Sequence, residues 1–439
     1  MRSNLARIFA VVMGVSLSLT ILAACGAGTT TGSGTPTAGS TVIKIATDLP
    51  VSGKVIGGGK PIEDSVHLAV NEANANHIIP GYTLVFDPKD DVGPAGIPDP
   101  AVGAQNVSAL AGDALVAGIV GPLNSKVAKA ELPITNQAPL AQISPANTNP
   151  CLTKNTPASG CSGANDLLPR LRPTGKLMYF RVATTDDHQG PAGADHLYKT
   201  LGYRKAYIID DAEIYGIGIA TTFAAEWKNL GGTVLGHSSE PSTTTSYVSL
   251  LTQVAALHPD VIYFGGQSST GGTLIRQQME QVPALANTPF GGGDGIVTHD
   301  FAQTIGLKGG PIYGTVAVVD TTVVPSAAAF RQKYMAAFSD PLNVYSAAGY
   351  DCANVLIQAI KSALANGAKT PKDSSDLAGA KLFRQAVINA IQTTSYEGVT
   401  GHQSFDANGD TTNKVISIYQ LALVSNKPDW KYLTAVTIP

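Results

Sequence analysis

Charge is scarce in this chain. Asp, Glu, Lys and Arg make up 14% of its 439 residues, the formal net charge is −3, and the basic residues gather in no run. Such a surface holds no attractive field for a phosphate backbone, so nucleic acid is not an expected partner. Cysteine is equally sparse. The 4 cysteines, with 8 histidines that fall into no HExxH or HxH spacing, supply no zinc ligand set, and no metal or other cofactor is expected. No serine stands in a GxSxG elbow, which leaves a hydrolase triad without its anchor. The stretch VSGKVIGGGKP approaches a phosphate-binding loop, but its spacing departs from the GxxxxGK pattern, and Pro61 stands where Ser or Thr would meet magnesium. In DANGD, Asp406 to Asp410, Gly409 comes too early for a calcium loop and the distal glutamate is missing, so a tight hairpin turn is the expected structure. With no candidate catalytic residue, the chain is not expected to be an enzyme.

What is present begins at the N-terminus. MRSNLAR is a positive segment, IFAVVMGVSLSLTIL is an apolar run short for a membrane span, and LAAC follows at Leu22 to Cys25. This resembles a bacterial lipoprotein signal, which implies a signal peptide over residues 1–24 and a diacylglyceryl thioether on Cys25. Several acyl chains on one residue hold a protein stably at a membrane surface. Residues 25–41, rich in Gly, Thr and Ser, read as a flexible tether. The folded part is thus expected outside the cytoplasm, membrane-anchored through its lipid. In that oxidising space, Cys151 and Cys161, which bracket CLTKNTPASGC, are expected to form a local disulfide. Cys352, within the apolar-periodic run YSAAGYDCANVLIQAI, reads as an inert core thiol.

A chain of 439 residues is expected to divide into about two domains. Short β-branched runs (VIKIAT, YTLVFDP, ALVAGIVG, PLAQIS) alternate with the helical patterns PIEDSVHLAVNEANA, AVGAQNVSALAG and NSKVAKAELPITNQ. The alternation restarts with KAYIID, TVLGHS, VIYFGG and TPFGGG, separated by three further helical patterns. After IYGTVAVVD come three helical patterns in succession, and a hairpin signal, HQSFDANGDTTNKVISIYQLALV, closes the series. The pattern predicts an α/β fold of two parallel sheets with helices on both faces. Ligands of such sheets bind beyond the carboxyl ends of the strands, where helices begin, so loops such as ISPANTNP are expected to line a cleft.

The ordered set TDLPVSG, Asp90–Asp91, GIVGPLNS, PLAQISPANTNP, YFRVATTDDHQG, DDAEIYG, VIYFGG, GGDG, AGYDC and FDANGD resembles the extracytoplasmic solute-binding proteins of branched-chain amino acid ABC importers. The resemblance spans essentially residues 42 to 424. It implies the type I periplasmic-binding-protein fold: two doubly wound Rossmann-like lobes joined by three hinge crossings, near FRVAT, near TVAVVD and after FDANGD. The N-terminal lobe would hold residues 42–182 and 318–413, and the C-terminal lobe 183–317 and 414–439. Implied partners are an amino acid or related small solute, an ABC permease and its ATPase; the protein itself is expected to be a monomer. A ligand-sensing receptor module of the same fold, or an importer component for another small amide or carboxylate, is the alternative.

A free amino acid in a dry cleft needs donors for its carboxylate and acceptors for its ammonium. Ser125 stands where ALVAGIVG ends and NSKVAKAEL begins, so its hydroxyl and the helix-start N–H groups suit a carboxylate. From the residues alone, capping of the helix by Asn124 or Ser125 serves equally well; the resemblance implies the ligand role. Ala146 can offer a carbonyl and Thr148 a hydroxyl to the ammonium, with Pro145 and Pro150 stiffening their loop and Asn147 and Asn149 satisfying the turn. The resemblance assigns Asp294, in GGDG, to the α-amino group and Tyr215 to the cleft edge, although by composition GGDG could be a plain turn. Two family aromatics are missing, near Gly58 in the loop after the first strand and near Gln267 and Ser268. Their absence implies a roomier or more polar pocket, with Gln267 in its wall. Gly93 and Asn124 stand where some members of the family carry a cysteine pair, and the Cys151–Cys161 segment is an insertion.

Overall fold

The computed structural model describes residues 41–155, 161 and 167–438. The signal segment, Cys25 and nearly all of the tether lie outside them.

The first lobe alternates strand and helix: β1 (Thr41–Leu49), α1 (Ile56–Ala75), β2 (Tyr82–Asp90), α2 (Pro100–Gly112), β3 (Val116–Val120), α3 (Ser125–Gln137), β4 (Ala141–Ser144), the short α4 (Leu167–Leu171) and β5 (Tyr179–Arg181). Its strands form one parallel sheet in the order β2-β1-β3-β4-β5. The second lobe follows with α5 (Asp186–Asp195), β6 (Lys205–Asp210), α6 (Ile214–Asn229), β7 (Thr233–Ser239), α7 (Val248–Ala255), β8 (Val261–Gly265), α8 (Gly272–Met279), β9 (Phe290–Gly292), α9 (His299–Ile305) and β10 (Ile312–Val316). The chain then returns to the first lobe. There α10 (Ala328–Ala337), α11 (Ser346–Ala365) and α12 (Leu377–Gln392) pack against α1 and the β3 and β4 strands, and the small ribbon of β11 (Tyr396–Gly398) and β12 (Gly401–Gln403) follows. Finally β13 (Val415–Val424) and β14 (Lys427–Thr437) complete the second sheet, whose order is β14-β13-β10-β9-β8-β6-β7. In both sheets, strands with helices on either side are mainly apolar, as burial on two faces favours; all five residues of β3, β8 and β10 are buried.

Three segments cross between the lobes and are hydrogen-bonded to one another. Thr184 N donates to Ala317 O (2.8 Å), the Thr184 hydroxyl contacts the Val415 backbone, and Arg181 N donates to Gly409 O (3.0 Å). The hinge is therefore a bonded bundle of backbone.

The structure departs from the sequence pattern in four places. Helix α1 begins at Ile56, so the three glycines and Pro61 lie inside it, whereas VSGKVIGGG reads as loop. Gly59 permits this entry, because a Cβ there would stand 2.1 Å from Pro50 O. Helix α5 carries Pro191 in its interior, which hides it from a reading of periodicity. The seven-residue α9 is too short for the pattern to show. DANGD is the expected tight turn, with Gly409 N on Asp406 O (3.0 Å) and Asp406 N on Asp410 O (2.9 Å). Its flanks then diverge after a single Phe405–Thr411 bridge, and the hairpin that closes the sheet is β13–β14, turning at Ser425 and Asn426, both at positive φ. A disulfide joins Cys151 and Cys161 (Cα–Cα 5.3 Å), and Cys352 is buried in α11.

Candidate ligand-binding cleft

The carboxyl ends of β1, β3 and β4 on one lobe, and of β6, β8 and β9 on the other, open into a cleft of about 590 Å³. That volume suits a small molecule. Asn124, Ser125, Ala146, Thr148, Tyr215, Gln267 and Asp294 all line it. The lobes touch across it at Lys126 Nζ–Glu213 Oε1 (3.0 Å), Asn149 Nδ2–Ile214 O (2.6 Å) and His299 Nε2–Leu342 O (3.0 Å).

On the first lobe, α3 points its N-terminus into the cleft. Asn124 holds the N-cap position by its backbone, its carbonyl accepting from Val127 N and Ala128 N. Its side chain makes no capping bond: both amide atoms are without a partner although the residue is 2% exposed. Ser125, the first helical residue, is also buried. The beginning of α3 thus presents unpaired donors and two short polar side chains.

The neighbouring loop, Pro145 to Pro150, is held by residues that spend their polar groups on it. Ser144 Oγ accepts from Asn147 N (2.9 Å) and donates to Pro122 O (2.7 Å). Asn147 donates to Leu123 O (2.7 Å) and accepts from Tyr179 OH (2.8 Å), while Asn149 accepts from Cys151 N (2.9 Å). Beneath them the fully buried Arg181 donates through one nitrogen to Asn147 O (3.2 Å) and Asn149 O (2.7 Å), and through Nε to Asp410 Oδ1 (2.7 Å). Asn147 and Asn149 are therefore scaffold. Thr148 is different: among the described residues its Oγ1 closes no hydrogen bond of good geometry at 1% exposure, and it lies beside the Asp186 carboxyl.

On the second lobe, Asp294 opens the short turn after β9. Its Oδ1 accepts from Gln189 Nε2 (2.8 Å) and Tyr215 OH (3.0 Å), and Tyr215 in turn accepts from Gly295 N (3.0 Å). Burial raises the Asp294 carboxyl above the usual range, although the bonds from Gln189 and Tyr215 oppose the shift. Asp186, the first residue of α5, is fully buried with neither carboxylate oxygen partnered, and its backbone N donates to Thr148 O (2.8 Å). Burial, then the charge of Asp294, raises the Asp186 carboxyl well above the usual range. Among the described residues, neither acid forms an ion pair with Lys, Arg or His. This end of the cleft is an acidic site whose charged forms are disfavoured by burial and, among the described residues, are not stabilised by an ion pair.

Gln267 lines the second-lobe wall at the head of the turn Ser268–Thr270, where its backbone N donates to Thr270 Oγ1 (2.9 Å). Gly58 also lines the cleft, but from the first turn of α1, not from a loop. Three residues went unassigned from the sequence: Asp186, Gln189 and Tyr345, which lines the cleft from the residue before α11. The signal for the first two was the quoted TTDDHQG, a strand end followed by acids at a helix start. Tyr345 carried none, because it enters from a distant part of the chain.

A family model described as "periplasmic binding protein" matches residues 42–427. A Leu/Ile/Val-binding protein of Rhizobium johnstonii is 26% identical over 379 residues, covering 86% of this chain and 91% of its own. Among solved structures, a leucine-binding protein of Thermotoga maritima superposes with a TM-score of 0.72 at 21% identity, over 90% of this chain and 98% of that one. A solute-binding protein of an R. palustris ABC transporter, in complex with 4-hydroxybenzoate, gives a TM-score of 0.71 at 18% identity, over 90% and 97%.

Proposed function

The chain belongs to the periplasmic binding protein family, a family of extracytoplasmic solute-binding proteins, and from that premise we propose that it captures an α-amino acid between its lobes and hands it to an ABC permease driven by an ATPase. One observation carries the choice of ligand. Half-buried Asp294 lines the cleft and the fully buried Asp186 lies within reach of its charge, and among the described residues neither has an ion-pair partner; Asp294 stands across the cleft from the N-terminus of α3. A zwitterion supplies both missing charges; an aromatic acid such as the one in the R. palustris neighbour supplies one. Ser125 and the α3 N-terminus receive the carboxylate. Asp294, the Ala146 carbonyl and the Thr148 hydroxyl receive the ammonium, and Tyr215 both orients Asp294 and walls the site.

Binding works by closure, because the ligand's contacts come from both lobes and are complete only when they meet. The lobes comprise residues 42–182 with 318–413, and 183–317 with 414–439, and the protein acts as a monomer tethered through a lipid on Cys25. A thermal-shift panel of L-amino acids, short amides and benzoates tests the reading. At a hundredfold excess over Kd the true ligand adds about 2.7 kcal/mol of stability. A shift with benzoates and none with any amino acid would overturn it.

A further inference from the structure

Three glycines open α1, and only two are explained by packing. A Cβ on Gly59 would strike Pro50 O at 2.1 Å, and one on Gly57 would stand 3.1 Å from Asp300 Oδ2. On Gly58 a Cβ would meet only Leu123 Cδ1, at an ordinary 3.8 Å, and its backbone is helical. Glycine in a helix costs about 0.5–1 kcal/mol relative to alanine, and nothing in the backbone or the core requires it there. What Gly58 does is leave volume in the cleft beside Leu123.

The residue after Leu123 is Asn124, whose amide is buried and unpartnered at both its donor and its acceptor. An amide in that state needs a group that offers the complementary pair. Across the cleft stand Gln267, Ser268 and Thr273, which can donate and accept but carry no charge. The nearby Lys60 is engaged by Glu63 and Asp64 on its own helix, and Lys54, Asp300 and Asp340, which also line the cleft, are exposed and solvated, so among the described residues this half of the cleft holds no buried ion awaiting a partner. A charged side chain would lose hydration here without compensation, and an aliphatic one would leave the Asn124 amide dry.

The geometry points to an α-amino acid whose side chain ends in an uncharged carboxamide, bonded to Asn124 and accommodated beside Gly58, and not to a branched aliphatic one. This rests on the amino-acid reading above. Calorimetric titration of the full protein with L-glutamine, L-asparagine, L-leucine, L-isoleucine and L-valine tests it. At least one carboxamide is expected to bind about ten- to a hundredfold tighter than the best aliphatic ligand. Asn124→Ala should erase that preference by weakening the carboxamide alone. Since the Asn124 amide makes no bond among the described residues, the melting temperature of the free variant should not fall. Gly58→Leu, filling the space, should weaken the carboxamide and favour the smaller aliphatic side chains. Equal or tighter binding of leucine, isoleucine or valine overturns the inference while leaving the amino-acid reading in place, as does an Asn124→Ala loss that is equal for both classes. Binding by no amino acid removes both.

Discussion

Replacing Asp294 with Asn keeps the size of the side chain and an oxygen that can still accept from Gln189 (2.8 Å) and Tyr215 (3.0 Å). It removes only the charge. With ligand bound, the ammonium then faces a neutral amide, and burial, the larger cause of its raised pKa, still holds the Asp186 carboxyl towards its protonated form once the charge at position 294 is gone. Leaving one member of a buried ion pair uncompensated costs about 3–5 kcal/mol. Asp294 keeps partial contact with solvent in the free cleft, which places the expected loss at the lower end, roughly a hundredfold in Kd.

Two further readouts separate this role from a structural one. The free Asp294 carboxyl is raised, so its charged form is penalised and the Asn variant should melt no lower than the parent. Binding an ammonium favours the ionised carboxylate and therefore releases a proton. Affinity in the parent should fall, by up to about tenfold per pH unit, as pH drops through the raised pKa, and should be flat above it. Asp186 titrates in both proteins, and loss of the Asp294 charge lowers its pKa in the variant, so any pH dependence left in the variant belongs to Asp186 and lies at lower pH. Titration calorimetry from pH 4 to pH 8 measures both quantities. An unchanged Kd, or a pH profile that survives the substitution unshifted, would reduce Asp294 to a turn residue.

Other expectations follow from the buried charges. Asp48, Asp91 and Glu131 of the first lobe are fully buried, each raised first by burial and without an ion pair among the described residues. The folded form holds their protons more tightly than the unfolded chain, so their contribution to stability is complete below the ordinary carboxylate range and is lost as pH rises through the elevated values. Denaturation should show stability falling as pH rises from 4 to 7, and Asp48→Asn should recover about 1–3 kcal/mol at pH 7; a curve that climbs over that interval contradicts the assignment. Asp410→Asn strands the buried Arg181 guanidinium and should cost about 3–5 kcal/mol in urea denaturation while also weakening ligand binding, because Arg181 carries the Asn147 and Asn149 carbonyls; a cost under about 1 kcal/mol would mean that the pair does not hold the hinge. Cys25→Ala should move the protein from the membrane to the soluble fraction on cell fractionation, and continued membrane retention would refute the lipid anchor.

What the sequence made legible was polarity out of place. Ser125, Thr148 and Asp294 stand where apolar strands end, and small polar residues at such junctions have a positional meaning that needs no third dimension. Asp186 is as polar and as close to a strand end, yet an Asp opening a helix is also what capping alone would produce, so TTDDHQG marked a helix start without singling this acid out. Only its burial does, with both oxygens unpartnered. The start of α1 was illegible for a related reason. Its glycines read as loop because glycine disfavours helix, whereas Gly59 is there for a close approach to Pro50. Helix α5 escaped because Pro191 interrupts it, and the divergence after DANGD escaped because the pull of Arg181 on Asp410 spans 229 residues.

The placement of charge also indicates how capture and closure are joined. At the hinge the buried cation is answered within the protein, Arg181 by Asp410. At the cleft Asp294 and Asp186 have no ion pair among the described residues, and they lie on the second-lobe side and at the crossing, while the α3 N-terminus, proposed above to take the carboxylate, and Thr148 lie on the first. A zwitterion held by the first lobe alone leaves its ammonium short of a counter-charge until Asp294 arrives, so closure is the step that completes its pairing. An α-keto acid of the same skeleton keeps the carboxylate contacts of the first lobe, lacks the ammonium bonds to Ala146 and Thr148, and gains nothing from the second. It should therefore bind weakly and leave the lobes open. Small-angle scattering would show the radius of gyration decreasing with the amino acid and unchanged with saturating keto acid. Equal compaction by both would mean that closure is driven by contacts other than the ammonium, and would take Asp294 out of the mechanism.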